Sequence, residues 1–189
     1  MCIRDSILAG DELNAISGKY EYDTDTNTYT KTGDGNTTEV GIDISGELQA
    51  GSIKLISTED GAGVNSAGTL IASAADVQIS SAGDLTIAGM VDAVNDITIS
   101  ASDQAAFDSA SIVAENELSV NGNAIGATTS EFSALAAIEF NSDTLAIMNS
   151  ELEATAVELT AEEAAIENSI ISSTAVSYTH LRAHETTNY

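Results

Sequence analysis

Hydrophobic residues recur along this chain as pairs split by one polar residue, and the pairs return about every twenty residues. The unit appears as Ile53-Lys54-Leu55, Val77-Gln78-Ile79, Ile97-Thr98-Ile99, Leu118-Ser119-Val120, Ile138-Glu139-Phe140 and Val157-Glu158-Leu159. Successive first members lie 24, 20, 21, 20 and 19 residues apart. Half-way units interleave at Leu85-Thr86-Ile87 and Leu145-Ala146-Ile147. Further apolar positions close each period: Leu70, Val91, Ile112, Phe132, Leu152 and Ile170. A period of two is that of a strand with one buried face. Turn signals such as Ala82-Gly83-Asp84 and Asn121-Gly122-Asn123 separate the strands. Strands this short, repeated at this spacing, predict an all-β chain wound as a parallel β-helix, one coil stacked on the next. Six coils at the inter-strand spacing span on the order of 30 Å.

Two stretches depart from the rhythm. Leu152, Leu159 and Ile166 are seven apart within an Ala- and Glu-rich segment, a pattern an amphipathic helix also produces. Glu158/Glu162 and Glu163/Glu167 would place like charges at i,i+4 on that helix with no Lys to offset them. The twenty-residue period favours continued β-coils over residues 150–175. Upstream, residues 19–38 are polar and read as a hairpin, with Tyr20-Glu21-Tyr22 and Thr28-Tyr29-Thr30 as arms around Asp25-Thr26-Asn27. Alternating Val40, Ile42 and Ile44 then enter the first coil.

Composition fits narrow coils. Hydrophobic residues make up 43%, enough for a core, and Pro is absent, as a continuous ladder of N–H donors requires. With 5 Lys+Arg against 30 Asp+Glu the formal charge is −25, which excludes a binder of nucleic-acid phosphates and argues against docking on anionic lipid heads. No apolar run is long enough to span a membrane as a helix, so no membrane insertion is expected. From Leu55 to Ala175 there are 19 acids and no Lys or Arg, a solvated negative surface that opposes edge-to-edge association.

The two ends read differently from the rest. Met1-Cys2-Ile3-Arg4-Asp5-Ser6 and Val176-Ser177-Tyr178-Thr179-His180-Leu181-Arg182-Ala183-His184-Glu185-Thr186 resemble the conceptual translation of the two strands of a transposon-end sequencing adapter. Residues 1–6 and 176–189 are therefore excluded from the reading of the fold. On this reading Ile7–Ala175 is a piece cut from a longer chain. The only Cys (Cys2) and both His (His180, His184) fall in the excluded ends. The remainder keeps 28 acids against Lys19, Lys31 and Lys54. The expected organisation is 7–46, the end of a secretion-domain-like region with its polar hairpin, then 47–175, the β-helix shaft.

The stretch from Gly51-Ser52-Ile53-Lys54-Leu55 through Thr58-Glu59-Asp60-Gly61-Ala62-Gly63-Val64 to Gly68 resembles the haemagglutination-activity region of filamentous-haemagglutinin-like exoproteins of two-partner secretion, including those of contact-dependent growth inhibition. Leu13-Asn14-Ala15-Ile16-Ser17-Gly18 with Tyr22-Asp23 is similar to the family's preceding segment, and Ser81-Ala82-Gly83-Asp84-Leu85-Thr86-Ile87 to its repeat phrase. The resemblance covers roughly Leu13–Ser102 and is only compositional beyond. It implies a right-handed single-stranded parallel β-helix, about 20 residues per coil, exported through an outer-membrane transporter barrel and exposed at the bacterial surface. The family's Asn-Pro secretion motifs are absent from this sequence. What the resemblance further implies is adhesion to host or neighbour-cell receptors, or presentation of a distal toxin or binding tip.

Candidate chemistry is sparse. Asp23-x-Asp25-x-Asn27-x-Tyr29 with Asp34 matches ligand positions of a calcium loop, but Thr28 stands where that loop needs Gly and Lys31 faces its ninth position. A polar hairpin tip is the simpler reading. Glu115-x-Glu117 and Glu162-Glu163 could pair for acid–base work, yet with so many acids such pairs arise by chance on solvated faces. Gly61-Ala62-Gly63 lacks the Lys-Ser/Thr of a phosphate loop, and the Val64 stretch reads as a coil corner. No serine has a His base between residues 7 and 175. No catalytic, cofactor-binding or metal-ligating set is expected. The first function class is thus a non-catalytic adhesive shaft; the others are a polysaccharide-active β-helix enzyme and a calcium-dependent surface or biofilm repeat.

Overall fold

The computed structural model describes residues 1–23, 26, 28–33, 40–179 and 182–183. These wind as a right-handed β-solenoid of three parallel sheets. Sheet A has nine strands, from Cys2–Ile3 to Arg182–Ala183; sheet B has eight, from Ile7–Leu8 to Ile170–Ser172; sheet C has eight, from Glu12–Ser17 to Ala175–Thr179. Each coil visits the sheets in turn: Ser52–Ser57 in C is followed by Gly63–Ser66 in A, Thr69–Ala72 in B and Val77–Ser81 in C again.

Register makes the hydrophobic period visible. On sheet C, Leu13, Ile53, Val77, Ile97, Leu118, Ile138 and Val157 are successive partners. Beside them run Ala15, Leu55, Ile79, Ile99, Val120, Phe140 and Leu159. These side chains are buried, and the residue between each pair faces outward, as Lys54, Gln78, Thr98, Ser119, Glu139 and Glu158 do. Parallel strands are stable only with their apolar face covered, and here each sheet covers the other two. Leu85-Thr86-Ile87 and Leu145-Ala146-Ile147, the half-way units, are strands of sheet A.

Sheet B carries one large column and one small. Leu48, Leu70, Val91, Ile112, Phe132, Leu152 and Ile171 are stacked partners, with Ala50, Ala72, Ala93, Ala114 and Ala134 alongside. The column closes on Ile171 and not on Ile170: Ile170 pairs with Glu151 and is 58% exposed. The last coil is 19 residues long, so the partner of Leu152 is Ile171, and Ile170, 18 residues on, falls on the outward side. Where alanines leave room, three rings fill the section. Phe107 of sheet A, Phe132 of B and Phe140 of C meet edge to face, with centroids 5.2 Å apart in each contact.

Residues 150–175 form strands, not a helix: Glu151–Glu153, Ala156–Thr160, Glu163–Glu167 and Ile170–Ser172. Leu152, Leu159 and Ile166 lie in sheets B, C and A respectively. Their heptad spacing is one third of a coil of about twenty residues. A three-sheet solenoid therefore imitates the a/a repeat of a helix.

The stack runs through the 7–46 region. Glu12–Ser17 already pairs in parallel with Ser52–Ser57, so Val40–Ile44 enters sheet A in a coil that is under way. Between them, in the C-to-A connection, Tyr20–Asp23 and Thr28–Lys31 form an antiparallel hairpin with Tyr22 opposite Tyr29. Strands also form from the adapter-like ends, Cys2–Ile3 on Asp43–Ile44 and Ala175–Thr179 on Ala156–Thr160. Edge pairing uses backbone groups that every residue carries, and Ile3 adds its buried side chain to the end of the core.

Candidate functional site: the corner ladders and a polar notch

Between strands the chain turns through three corners, and each is tied to the same corner one coil away. At the A-to-B corner, Ser109, Thr129, Asn149 and Asn168 take left-handed φ of 57°, 53°, 51° and 49°. The residue that follows is Ala110, Ser130, Ser150 or Ser169, and it builds a ladder. Ala110 N–H donates to Ser130 Oγ at 3.1 Å, Ser130 N–H to Ser150 Oγ at 3.0 Å, and Ser150 N–H to Ser169 Oγ at 3.1 Å. Each serine hydroxyl in turn donates to a carbonyl two residues back, on Thr128, Met148 and Glu167. Earlier coils turn the same corner with Gly46, Gly68 and Gly89. A methyl on Gly68 would overlap the Gly46 carbonyl, and one on Gly89 the Gly68 carbonyl.

The B-to-C corner uses carboxylate and amide. Asp76 Oδ1 accepts from Asn95 Nδ2 at 2.6 Å and from the Asp96 N–H at 3.2 Å. One coil on, Asp96 Oδ1 accepts from Asn116 Nδ2 at 2.7 Å and from the Glu117 N–H at 3.2 Å. These acids satisfy backbone donors that a corner would otherwise leave without partners.

The C-to-A corner is the variable one. It holds the hairpin, anchored by Lys31 Nζ to Asp60 Oδ1 at 2.7 Å and by Lys54 Nζ lying 6.0 Å from the Tyr29 ring centroid. Gly61 there has φ +76°, as the glycine-rich string predicts, but Val64 itself is not in the corner. It is a buried strand residue of sheet A, paired with Leu85. Further along, three successive C-to-A corners line a shallow, open groove of about 380 Å³. Its middle rung contributes Asn121, Gly122 and Asn123, and the next rung Asn141, Ser142 and Asp143. Gly122 leaves a notch where its neighbours carry a Cβ. A methyl at that point would stand 3.2 Å from the Ala124 carbonyl oxygen and 3.6 Å from those of Ala101 and Asp103. Ser142 lines the same groove at 9% exposure, and its Oγ is buried with no hydrogen-bond partner.

The residues weighed for chemistry are not gathered into one site. Asp23 and Thr28 pair across the hairpin, while Asp25, Asn27 and Asp34 of the calcium-loop pattern lie outside the described residues. His180 and His184 also lie outside them. Glu117 opens a sheet C strand and Glu115 sits at the corner before it; Glu162 and Glu163 both donate their N–H to the Asp143 carbonyl. All four side chains are exposed. Among the described residues no three His, Cys, Asp or Glu side chains are grouped to hold a metal ion. In the sequence Asn121-Gly122-Asn123 carries only the signal of a turn, because the groove is formed with rungs about twenty residues away on either side. Comparison of the chain with protein-family models, with curated proteins and with solved structures finds no match.

Proposed function

We propose that this chain is a stretch of the non-catalytic shaft of a filamentous-haemagglutinin-like exoprotein, exported by two-partner secretion to the bacterial surface. There it contributes to adhesion to host or neighbouring cells or holds a distal toxin or binding tip away from its own cell. The observation that carries the reading is the family-like string 51–68 coinciding with most of one coil. It supplies the sheet C strand Ser52–Ser57, a corner with Gly61 at positive φ, and the sheet A strand Gly63–Ser66. A solenoid is suited to spacing, because each coil contacts only its neighbours and length grows by adding rungs. A β-helix lyase needs a base and groups that neutralise substrate carboxylates, and residues 55–175 contain no His, Lys or Arg.

The deciding experiment is recovery of the DNA flanking the coding sequence. The reading expects an upstream secretion domain with Asn-Pro motifs and an adjacent gene for an outer-membrane transporter barrel. A polysaccharide-lyase or hydrolase signature continuous with these coils overturns it.

A further inference from the structure

We propose that the outer face of sheet B, with the corner that follows it, is a docking surface for a cationic amphipathic helix. The three outer faces differ in chemistry. Sheet C presents Gln78, Thr98, Ser119, Glu139 and Glu158, and sheet A presents Thr86, Ala106, Gly126 and Ala146, all polar or small. Large apolar side chains reach solvent on sheet B instead. Met90 and Val113 are 43% and 37% exposed, and Val94 and Leu135, at the corner after the strand, are 44% and 71% exposed. Register places them together. Met90 and Asp92 pair with Ser111 and Val113 of the next rung, so Met90 and Val113 are diagonal neighbours. Val94, Glu115 and Leu135 each follow one of the stacked alanines Ala93, Ala114 and Ala134, and so line one corner.

Carboxylates share this face. Asp92 is in register with Val113, Glu115 sits between Val94 and Leu135, and Glu131 is in register with Glu151. Glu131, Glu151 and Glu153 border an open groove of about 170 Å³, together with Ser111, Val113 and Ser133. No Lys or Arg occurs from residue 55 to 175, so this stretch supplies no cation of its own. Such a face selects its partner by charge and by apolar cover at once. A second copy would set carboxylate against carboxylate, and an uncharged apolar partner would bury carboxylates unpaired. Lys and Arg on a partner helix meet the acids while its apolar seam covers Met90, Val94, Val113 and Leu135. A helix laid along the solenoid axis also fits the spacing. Its pitch of about 5.4 Å is close to the inter-strand spacing of about 4.8 Å, so successive turns meet successive rungs. The inference stands apart from the adhesin reading, because it rests on the exposed side chains of one sheet and its corner.

The test is fluorescence anisotropy of a labelled helical peptide with a seam of Leu on one face and Lys on either side of it. It is titrated with the whole chain at about 0.15 M potassium chloride, where diffuse attraction to a polyanion is screened. Saturation at one peptide per chain is expected, with a scrambled peptide of the same composition binding about tenfold more weakly or worse. Met90→Ser combined with Leu135→Ser weakens binding about tenfold or more, as does Glu131→Gln combined with Glu151→Gln. Glu139→Gln combined with Glu158→Gln removes the same charge from sheet C and leaves binding within about twofold. All of these side chains are exposed, so the variants keep the fold, read as an unchanged circular-dichroism spectrum. Equal binding of the scrambled peptide, equal losses from the two glutamate pairs, or no loss from the apolar pair would overturn the proposal in favour of diffuse attraction to an acidic rod.

Discussion

Ser66 interrupts a column of aliphatic side chains, stacked between Ile44 and Ile87 with 0% exposure and no partner for its hydroxyl. Burying a hydroxyl unpaired is unfavourable, so Ser66→Ala is expected to raise stability by about 1 kcal/mol, read from urea midpoints at unchanged slope. The opposite sign is expected at Phe132, whose ring touches both Phe107 and Phe140. Phe132→Ala leaves a cavity between three sheets that rigid neighbours cannot close, at a cost of about 3–5 kcal/mol. Asn149 sits at φ 51°, where Asn and Gly are tolerated and a β-branched side chain is not. Asn149→Gly should therefore leave the thermal midpoint nearly unchanged, while Asn149→Val lowers it by the equivalent of about 1–2 kcal/mol.

At the scale of strands and corners, stability depends on links between coils. Ser150 is a middle link of the serine ladder, accepting from Ser130 and donating to Met148. Ser150→Ala leaves the buried Ser130 N–H unsatisfied and is expected to destabilise by about 1–3 kcal/mol, with faster amide exchange at Ser130 as its local signature. The strands also carry a liability on their wet faces, where Glu139 lies in register with Glu158 and Glu131 with Glu151. Glu139→Gln should stabilise by about 0.2–1 kcal/mol at low salt, a gain that fades as added salt screens the pair. Legibility differs among these features for physical reasons. The sheet C columns could be read from the chain because from Ile53 onward every member is a large hydrophobic residue, paired with its fellow across one outward polar residue. The alanine column of sheet B could not, since Ala74, Ala106 and Ala165 are outside the core and carry the same hydropathy. Serine ladders have no hydropathy signal, and their period emerges only once the left-handed residue before each serine is known. The Leu152, Leu159, Ile166 spacing misled because a third of a coil and two turns of helix are both close to seven residues.

For the molecule as a whole, a single axis of stacking and a one-signed surface set the behaviour. Stability in a solenoid is a sum of coil terms and nearest-neighbour contacts. Cutting residues 1–6 and 176–189 removes edge strands and no internal coil, so the trimmed chain is expected to keep its β circular-dichroism spectrum and cooperative unfolding. The most direct test of the stacking itself measures distances up the outer column of sheet C, where Lys54, Gln78, Thr98, Ser119, Glu139 and Glu158 occupy successive rungs. Spin labels would be placed at Lys54 paired with Glu139 or Glu158, and at Asn14 paired with Glu158, in a Cys2→Ser background. The account predicts separations rising by one inter-strand spacing per rung, about 19, 24 and 29 Å between backbones. Separations that fail to rise in that order, or that scatter broadly, would contradict it.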